Sequence, residues 1–265
     1  MGIVQGLTEF LPVSSSGHLI IVPVLAGWHD PFITSLAFSV MLHIGTLVAL
    51  LIYFRADWMR LVPAGLATVR DRSFEGDPDR RLAWLVAVAT IPALIVGALL
   101  NDLVEQRFRE LGLVALMLVI GGGILWLAER QGMRRLLAVD LTFPKAFAIG
   151  AAQAVALIPG ISRSGISISA GLFAGLDRES AARFSFLMAT PITAAAAAFE
   201  TAKVLTGGSG VAVEIGPLFA GMDAALVSGL IAIAVLLRFL RTRSTDIFVA
   251  YRLLVAAFVL VVWLG

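Results

Sequence analysis

Cysteine is absent from the 265 residues, so disulfides, thiol catalysis and thiolate metal sites are all excluded. Charge is scarce as well: 14% of the chain is Asp, Glu, Lys or Arg, against about 25% in water-soluble proteins. The signs nearly cancel, 20 basic against 18 acidic, so a pI near 9.5 reflects a net +2 that is too small to recruit a polyanion. What fills the space is apolar: 59% hydrophobic residues and a mean hydropathy of +0.95. A soluble globule could not cover that much apolar surface with its own polar groups. A cytosolic enzyme, a disordered chain and a nucleic-acid module are therefore excluded, and one all-α polytopic membrane domain over residues 1–265 is expected.

A spanning helix needs about 20 mostly apolar residues. Ile33–Phe54, Leu82–Leu100, Leu111–Ala128, Phe184–Leu205, Leu218–Leu237 and Ile247–Leu264 meet that requirement. Met1–Leu11, Leu19–Ala26, Trp58–Val69, Phe143–Ile158 and Ile166–Leu176 are short or interrupted by Gly and Pro, and read as half-helices or re-entrant hairpins. The opening MGIVQGLTEF lacks a basic n-region and holds a Glu in its apolar stretch, so no cleavable signal peptide is expected. Its abruptness suggests a first helix that has lost a turn or two.

Loop arginines set the expected orientation. Arg55–Arg81 carries six of them, Glu129–Asp140 three and Arg238–Arg243 three, whereas Thr206–Pro217 has no basic residue and Asn101–Glu110 has two against three acids. With the Arg-rich loops in the cytoplasm, Ile33–Phe54 and Leu111–Ala128 run inward and Leu82–Leu100 outward. In the second half Phe184–Leu205 and Ile247–Leu264 run outward and Leu218–Leu237 inward. The halves also match in sequence: at one offset Gln5, Ser14, Ser16 and Gly17 fall on Gln153, Ser162, Ser164 and Gly165. Phe38-Ser39 recurs as Phe184-Ser185. The expected architecture is an inverted-topology repeat (about 1–128 and 141–265) whose two broken hairpins meet near the bilayer midplane and form the site.

Ionisable groups and backbone breaks at membrane depth are costly, which makes each a functional candidate. Glu9 lies one helical turn from Gln5, on the same face. A buried carboxylate must be protonated, paired or bound to metal. Next comes Pro12-Val13-Ser14-Ser15-Ser16-Gly17-His18, where proline ends one helix and serine caps the next, leaving N–H groups for an anion. His18 could serve there as acid, base or nucleophile, while His29 and His43 lack such company and suit a loop role and a packing role. The second break, Pro159-Gly160-Ile161-Ser162-Arg163-Ser164-Gly165, sets an arginine between serines near a helix start at about Ser164. Arginine pairs bidentately with phosphate oxygens. Together these groups suit a phosphate ester or diphosphate held at the membrane, with Glu9 holding a divalent cation, Mg²⁺ or Ca²⁺. No Walker loop, zinc-type histidine cluster or dinucleotide fingerprint competes.

At these residues the chain resembles the undecaprenyl-diphosphate phosphatase family, also called bacitracin-resistance proteins. QGLTEFLPVSSSGH is similar to the family's (E/Q)xxxE helix followed by PVSSxGH, and PGISRSG to its PGxSRSG. FSVMLHIGTLVAL, ATIPALIVG and Tyr251-Arg252 follow in the expected order, so the likeness covers nearly the whole chain. The resemblance implies hydrolysis of undecaprenyl diphosphate to the monophosphate, recycling of the lipid carrier for wall polymers, bacitracin resistance, a divalent cation and a site that opens externally in the bacterial cytoplasmic membrane. By position it places Gln5 and Glu9 on the first motif, Ser14, Ser15, Ser16, Gly17 and His18 on the first loop, and Ser162, Arg163, Ser164 and Gly165 on the second. Gln5 stands where many members have Glu, leaving one carboxylate fewer for metal. Glu9, His18, Ser15 and Arg163 are the expected catalytic groups: Arg163 and the serine-lined helix ends clamp the diphosphate, while His18 or Ser15 attacks phosphorus or His18 activates water. The other reading of the same repeat is a lipid-phosphate transporter. Besides the prenyl diphosphate, the partners in view are membrane lipids and a second copy of the chain as a homodimer, with no nucleic acid.

Overall fold

The computed structural model describes residues 1–74, 76–132, 134–205 and 214–264, and for 36, 101–107 and 204–205 the backbone alone. The 206–213 part of the arginine-free stretch, and the side chains of 101–107 used in the charge comparison, fall outside the described residues. Eleven α-helices follow in order among the described residues: α1 Gly2–Phe10, α2 Ser15–Ala26, α3 Leu36–Tyr53, α4 Arg55–Asp71, α5 Pro78–Arg107, α6 Leu111–Gln131, α7 Phe143–Ala154, α8 Arg163–Phe173, α9 Arg178–Leu205, α10 Ile215–Leu240 and α11 Asp246–Leu264. Five stretches are long and apolar enough to span: Pro78–Leu100, Leu111–Gln131, Arg178–Lys203, Ile215–Leu240 and Asp246–Leu264. Backbone polar groups satisfied within each helix are what hydrocarbon requires. The all-α polytopic class is thus the observed one.

The first expected span differs. Ile33–Phe54 becomes α3, which turns by 79° into α4 across Phe54. Trp58–Val69 is most of the 17-residue helix α4, the second arm of a bent pair that forms a broken span or a re-entrant turn, and the arginine stretch from 55 is largely helical rather than loop. Charge pairing accounts for it: Arg60 bridges Asp57 and Asp79, and Arg183 of α9 reaches Asp57 at 3.0 Å. Phe54, fully buried at the bend, packs toward Phe186, which meets Phe10 edge-on at 5.4 Å. This aromatic cluster holds the end of α1 against α9.

The remaining short segments form two hairpins, α1–α2 and α7–α8, and both are packed through glycine. Gly6 lies against the α10 backbone at Ala225 and Gly229, and Gly150 against the α5 backbone at Ala89, so a methyl group at either would collide with main chain. Close backbone approach at small residues is how helices associate where lipid removes the hydrophobic drive.

The two breaks repeat each other in detail. Ser14 (φ 77°) caps α2 and accepts from the Gly17 N–H at 3.3 Å; Ser162 (φ 76°) caps α8 and accepts from the Gly165 N–H at 3.1 Å. A non-glycine residue at positive φ is strained by about 1–3 kcal/mol and persists only where its surroundings hold it. The surroundings here are the other break. Gly160 N–H donates to Ser14 Oγ at 3.1 Å, and Ser164 Oγ–H donates to the Leu11 carbonyl at 3.0 Å. Arg252 of α11, with 0% exposure, then ties both together. Its guanidinium donates to Pro12 in the first break, to Gly160 and Ile161 in the second, and to Leu118 of α6.

Carbonyls that end a helix inside a membrane need donors, and Arg252 supplies them. Replacing it by Met strands the carbonyls of both breaks, at about 1–3 kcal/mol for each buried acceptor left without a donor. Arg252→Met is expected to lower the unfolding temperature in detergent by about 10 °C or more. Arg130→Ala, which removes an exposed pair with Asp246, is expected to move it by no more than about 2 °C.

Candidate active site

Glu9 is the centre of the polar cluster that these breaks enclose. It sits on the last turn of α1 and is 8% exposed, so its carboxylate depends on protein donors. Gln5, one turn earlier, donates to Oε2 at 3.1 Å, and Ser15 Oγ–H donates to the same oxygen at 2.5 Å. From the other half, Arg163 at the start of α8 pairs with Oε1 at 3.2 Å. The second Arg163 nitrogen donates to Thr193 Oγ1 of α9 at 2.6 Å. The expected meeting of Gln5, Glu9, Ser15 and Arg163 is thus seen as geometry. A hydroxyl proton on the carboxylate leaves the Ser15 oxygen with its lone pairs available, the arrangement of an activated nucleophile.

The remaining residues of the two loops do other work. Ser14 Oγ is consumed by the Gly17 and Gly160 amides and touches Ser16 Oγ at 3.3 Å; Ser162 Oγ is taken by the Gly165 amide and Ser164 Oγ. Ser14, Gly17, Ser162, Ser164 and Gly165, expected as substrate contacts, are therefore engaged in building the junction. A Cβ on Gly17 would press on Val114 and Ser14, and one on Gly165 on Arg252. The amides geometrically left for an anion are those opening each helix, Ser15 and Ser16 on α2 and Arg163 and Ser164 on α8. The second helix starts at Arg163, one residue before the expected Ser164, because Ser162 is the cap.

His18 faces away from Glu9. Its Nδ1 lies 2.7 Å from the Ser14 carbonyl, which can only accept, so Nδ1 carries the hydrogen. Nε2 then accepts from the Tyr251 hydroxyl at 2.8 Å, and the two rings stack at 5.7 Å. Nδ1 thus closes the first turn of α2 on its own cap, and Nε2 ties α2 to α11, so both ring nitrogens have partners other than Glu9. The histidine that does approach Glu9 is His43 of α3, with Nε2 at 3.5 Å from Oε2, so a packing role without polar company is also corrected. Thr193 carries no loop or motif signal, and His43 lies in the FSVMLHIGTLVAL stretch, which by itself assigns it no role. The one rule that flags His43 is that an ionisable group at membrane depth is a functional candidate.

Among the described residues no group of three or more His, Cys, Asp or Glu side chains could enclose a metal ion. The oxygens offered near Glu9 are its own and the buried Gln5 Oε1, which has no hydrogen-bond partner in the structure. One carboxylate and one amide oxygen fit a hard cation that draws its other ligands from a phosphorylated substrate, as Mg²⁺ commonly does.

Removing the Tyr251 hydroxyl leaves the His18 acceptor unpaired while the ring stack survives. Tyr251→Phe is expected to destabilise the protein by about 1 kcal/mol, read as a fall of about 2–4 °C in unfolding temperature. An unchanged temperature would mean that the His18–Tyr251 bond does not hold α2.

Comparison with known proteins bears on this cluster. The family described as bacitracin resistance protein BacA matches residues 1–258. The undecaprenyl-diphosphatase of Desulforudis audaxviator is 45% identical over 262 residues, covering 99% of this chain and 95% of its own. That of Gemmatimonas aurantiaca is 46% identical over 255 residues, covering 96% and 92%. The undecaprenyl-diphosphatase of Moorella thermoacetica is 43% identical over 265 residues, covering 100% and 96%.

Proposed function

The chain belongs to the bacitracin resistance protein BacA family, and from that premise we propose that the Glu9–Ser15–Arg163 cluster is the hydrolytic site of an undecaprenyl-diphosphate phosphatase. The reaction converts undecaprenyl diphosphate and water to undecaprenyl phosphate and inorganic phosphate, which recycles the lipid carrier for wall synthesis and confers bacitracin resistance. The observation that carries the assignment is the Ser15 hydroxyl bonded to the buried Glu9 carboxylate, opposite Arg163.

The terminal phosphoryl group lies between the α2 and α8 N-termini, with Arg163 turning from Glu9 to a phosphoryl oxygen. Glu9 accepts the Ser15 proton as Ser15 Oγ attacks the terminal phosphorus. The bond to the bridging oxygen breaks, and undecaprenyl phosphate leaves with that electron pair. Water then attacks the phosphoserine, the P–O bond to Ser15 breaks, Glu9 returns its proton to Ser15 Oγ, and inorganic phosphate departs carrying the water oxygen and its protons. Positioning and charge neutralisation supply most of the rate in phosphoryl transfer. His18 supports this chemistry through α2 rather than by attack. A divalent cation, Mg²⁺ or Ca²⁺, held by Glu9 and Gln5 Oε1 together with the diphosphate, would further neutralise the phosphoryl oxygens.

The matching serine caps support the proposed division into inverted repeats of about 1–128 and 141–265. The membrane is that of the bacterial cytoplasm, with the arginine-rich ends inside and the site opening externally. A homodimer belongs to the same proposal and adds no residue to the site.

Purified protein in detergent, without a bilayer, is expected to release inorganic phosphate from a prenyl diphosphate, which a lipid-phosphate transporter would not do. Arg163→Ala and Glu9→Ala are each expected to lose about 10²–10³ or more in kcat. With substrate labelled at the terminal phosphate, acid-quenched protein is expected to carry label that Ser15→Ala abolishes and His18→Ala retains. Label dependent on His18 instead would overturn the assignment of Ser15.

A further inference from the structure

We propose that His43 is a positioning residue of this phosphatase, holding Glu9 so that its Oε2 faces Ser15; the inference rests on the hydrolytic reading of the cluster given above. The imidazole is aimed by its own helix. Nδ1 lies 2.9 Å from the carbonyl of Ser39, one turn earlier on α3, and a carbonyl only accepts, so Nδ1 donates and the ring cannot turn away without losing that bond. The nitrogen left, Nε2, points at Glu9 Oε2, 3.5 Å away, and the side chain is 17% exposed; a carboxylate only accepts, so the contact is that of an imidazolium with a hydrogen on each nitrogen. A ring fixed at one nitrogen and presented at the other is a tether, not filler.

The need for such a tether follows from the other partners of Glu9. Arg163, on Oε1, is the group that a diphosphate must draw off, because its second nitrogen is already spent on Thr193. Ser15, on Oε2, is the group that reacts. The contacts that persist through turnover are therefore Gln5 on α1 itself and His43 on α3. Gln5 shares the helix of Glu9 and moves with it. His43 is anchored to a different helix, and so is the one that fixes the carboxylate relative to the bundle.

The test is steady-state hydrolysis of a prenyl diphosphate by the full chain in detergent, comparing His43→Leu, His43→Gln and His43→Asn with wild type. A glutamine amide can place an N–H near the Nε2 position; leucine has no donor, and asparagine falls one methylene short. Loss of positioning appears in kcat and leaves uniform substrate binding alone. His43→Leu and His43→Asn are expected to lower kcat by about tenfold or more with KM within about twofold, and His43→Gln to keep kcat within about threefold of wild type. Equal activity in all three variants would overturn the proposal. So would equal losses in Gln and Asn, the pattern of a packing role. If His43→Leu does not fold, the Gln–Asn contrast decides alone. Glu9→Gln run alongside separates the two levels: if it hydrolyses normally, the reading of the cluster fails, whereas an inactive Glu9→Gln with normal His43→Asn removes only the role of His43.

Discussion

The structure depends on one buried cation that has no carboxylate partner among the described residues. Arg252 spends its guanidinium on main-chain carbonyls from two helix breaks far apart in sequence and from α6 beside them. Inside a bilayer an interrupted helix is tolerable only where protein replaces water for the freed carbonyls. Arg252 does so for both interruptions at once, which sets them against each other. The strained serines at 14 and 162, the short hairpins and the facing helix N-termini are stable because of that shared partner.

From this the charge logic of the site follows. Each break begins a helix whose first amides point into the common space, and positive ends of two helices make that space attractive to an anion. Glu9 and Arg163 come from opposite halves and neutralise each other across it. A phosphorylated substrate can exchange with Glu9 for the guanidinium, and the carboxylate so released is already bonded to the Ser15 hydroxyl. In the proposed mechanism, binding and activation are thereby coupled in one rearrangement. Outside, the apolar helix faces such as Leu99, Leu254 and Leu264 lie open, as surfaces solvated by lipid should. Apolar surface outside and polar groups within reverse the order of a soluble enzyme.

Much of this was legible in the chain because the signals are local. Serine before a glycine after a proline names a helix break and its cap, and it does so twice, at Ser14 and Ser162. Glu9 and Arg163 stand out because charge is so sparse. What was not legible depended on long-range partners. His18 turns toward Tyr251, which is 233 residues away, and no motif signals that direction. His43 meets Glu9 only because α3 packs near α1. The 79° bend at Phe54 has no glycine or proline to announce it; it arises where an apolar helix passes into an amphipathic one whose aspartate is claimed by Arg183. That the loop serines also hold the two breaks together, Ser14 to Gly160 and Ser164 to Leu11, is a long-range fact no local motif shows.

The central claim is that Glu9 and Arg163, one from each half, act as a single unit. The direct measurement is a double-mutant cycle on phosphate release in detergent, with Glu9→Gln, Arg163→Met and the pair combined. Groups that act together are grossly non-additive. The double variant is expected to be about as impaired as the worse single one, within about threefold in kcat/KM. Losses that multiply would contradict the claim, because the two side chains would then be serving the reaction independently.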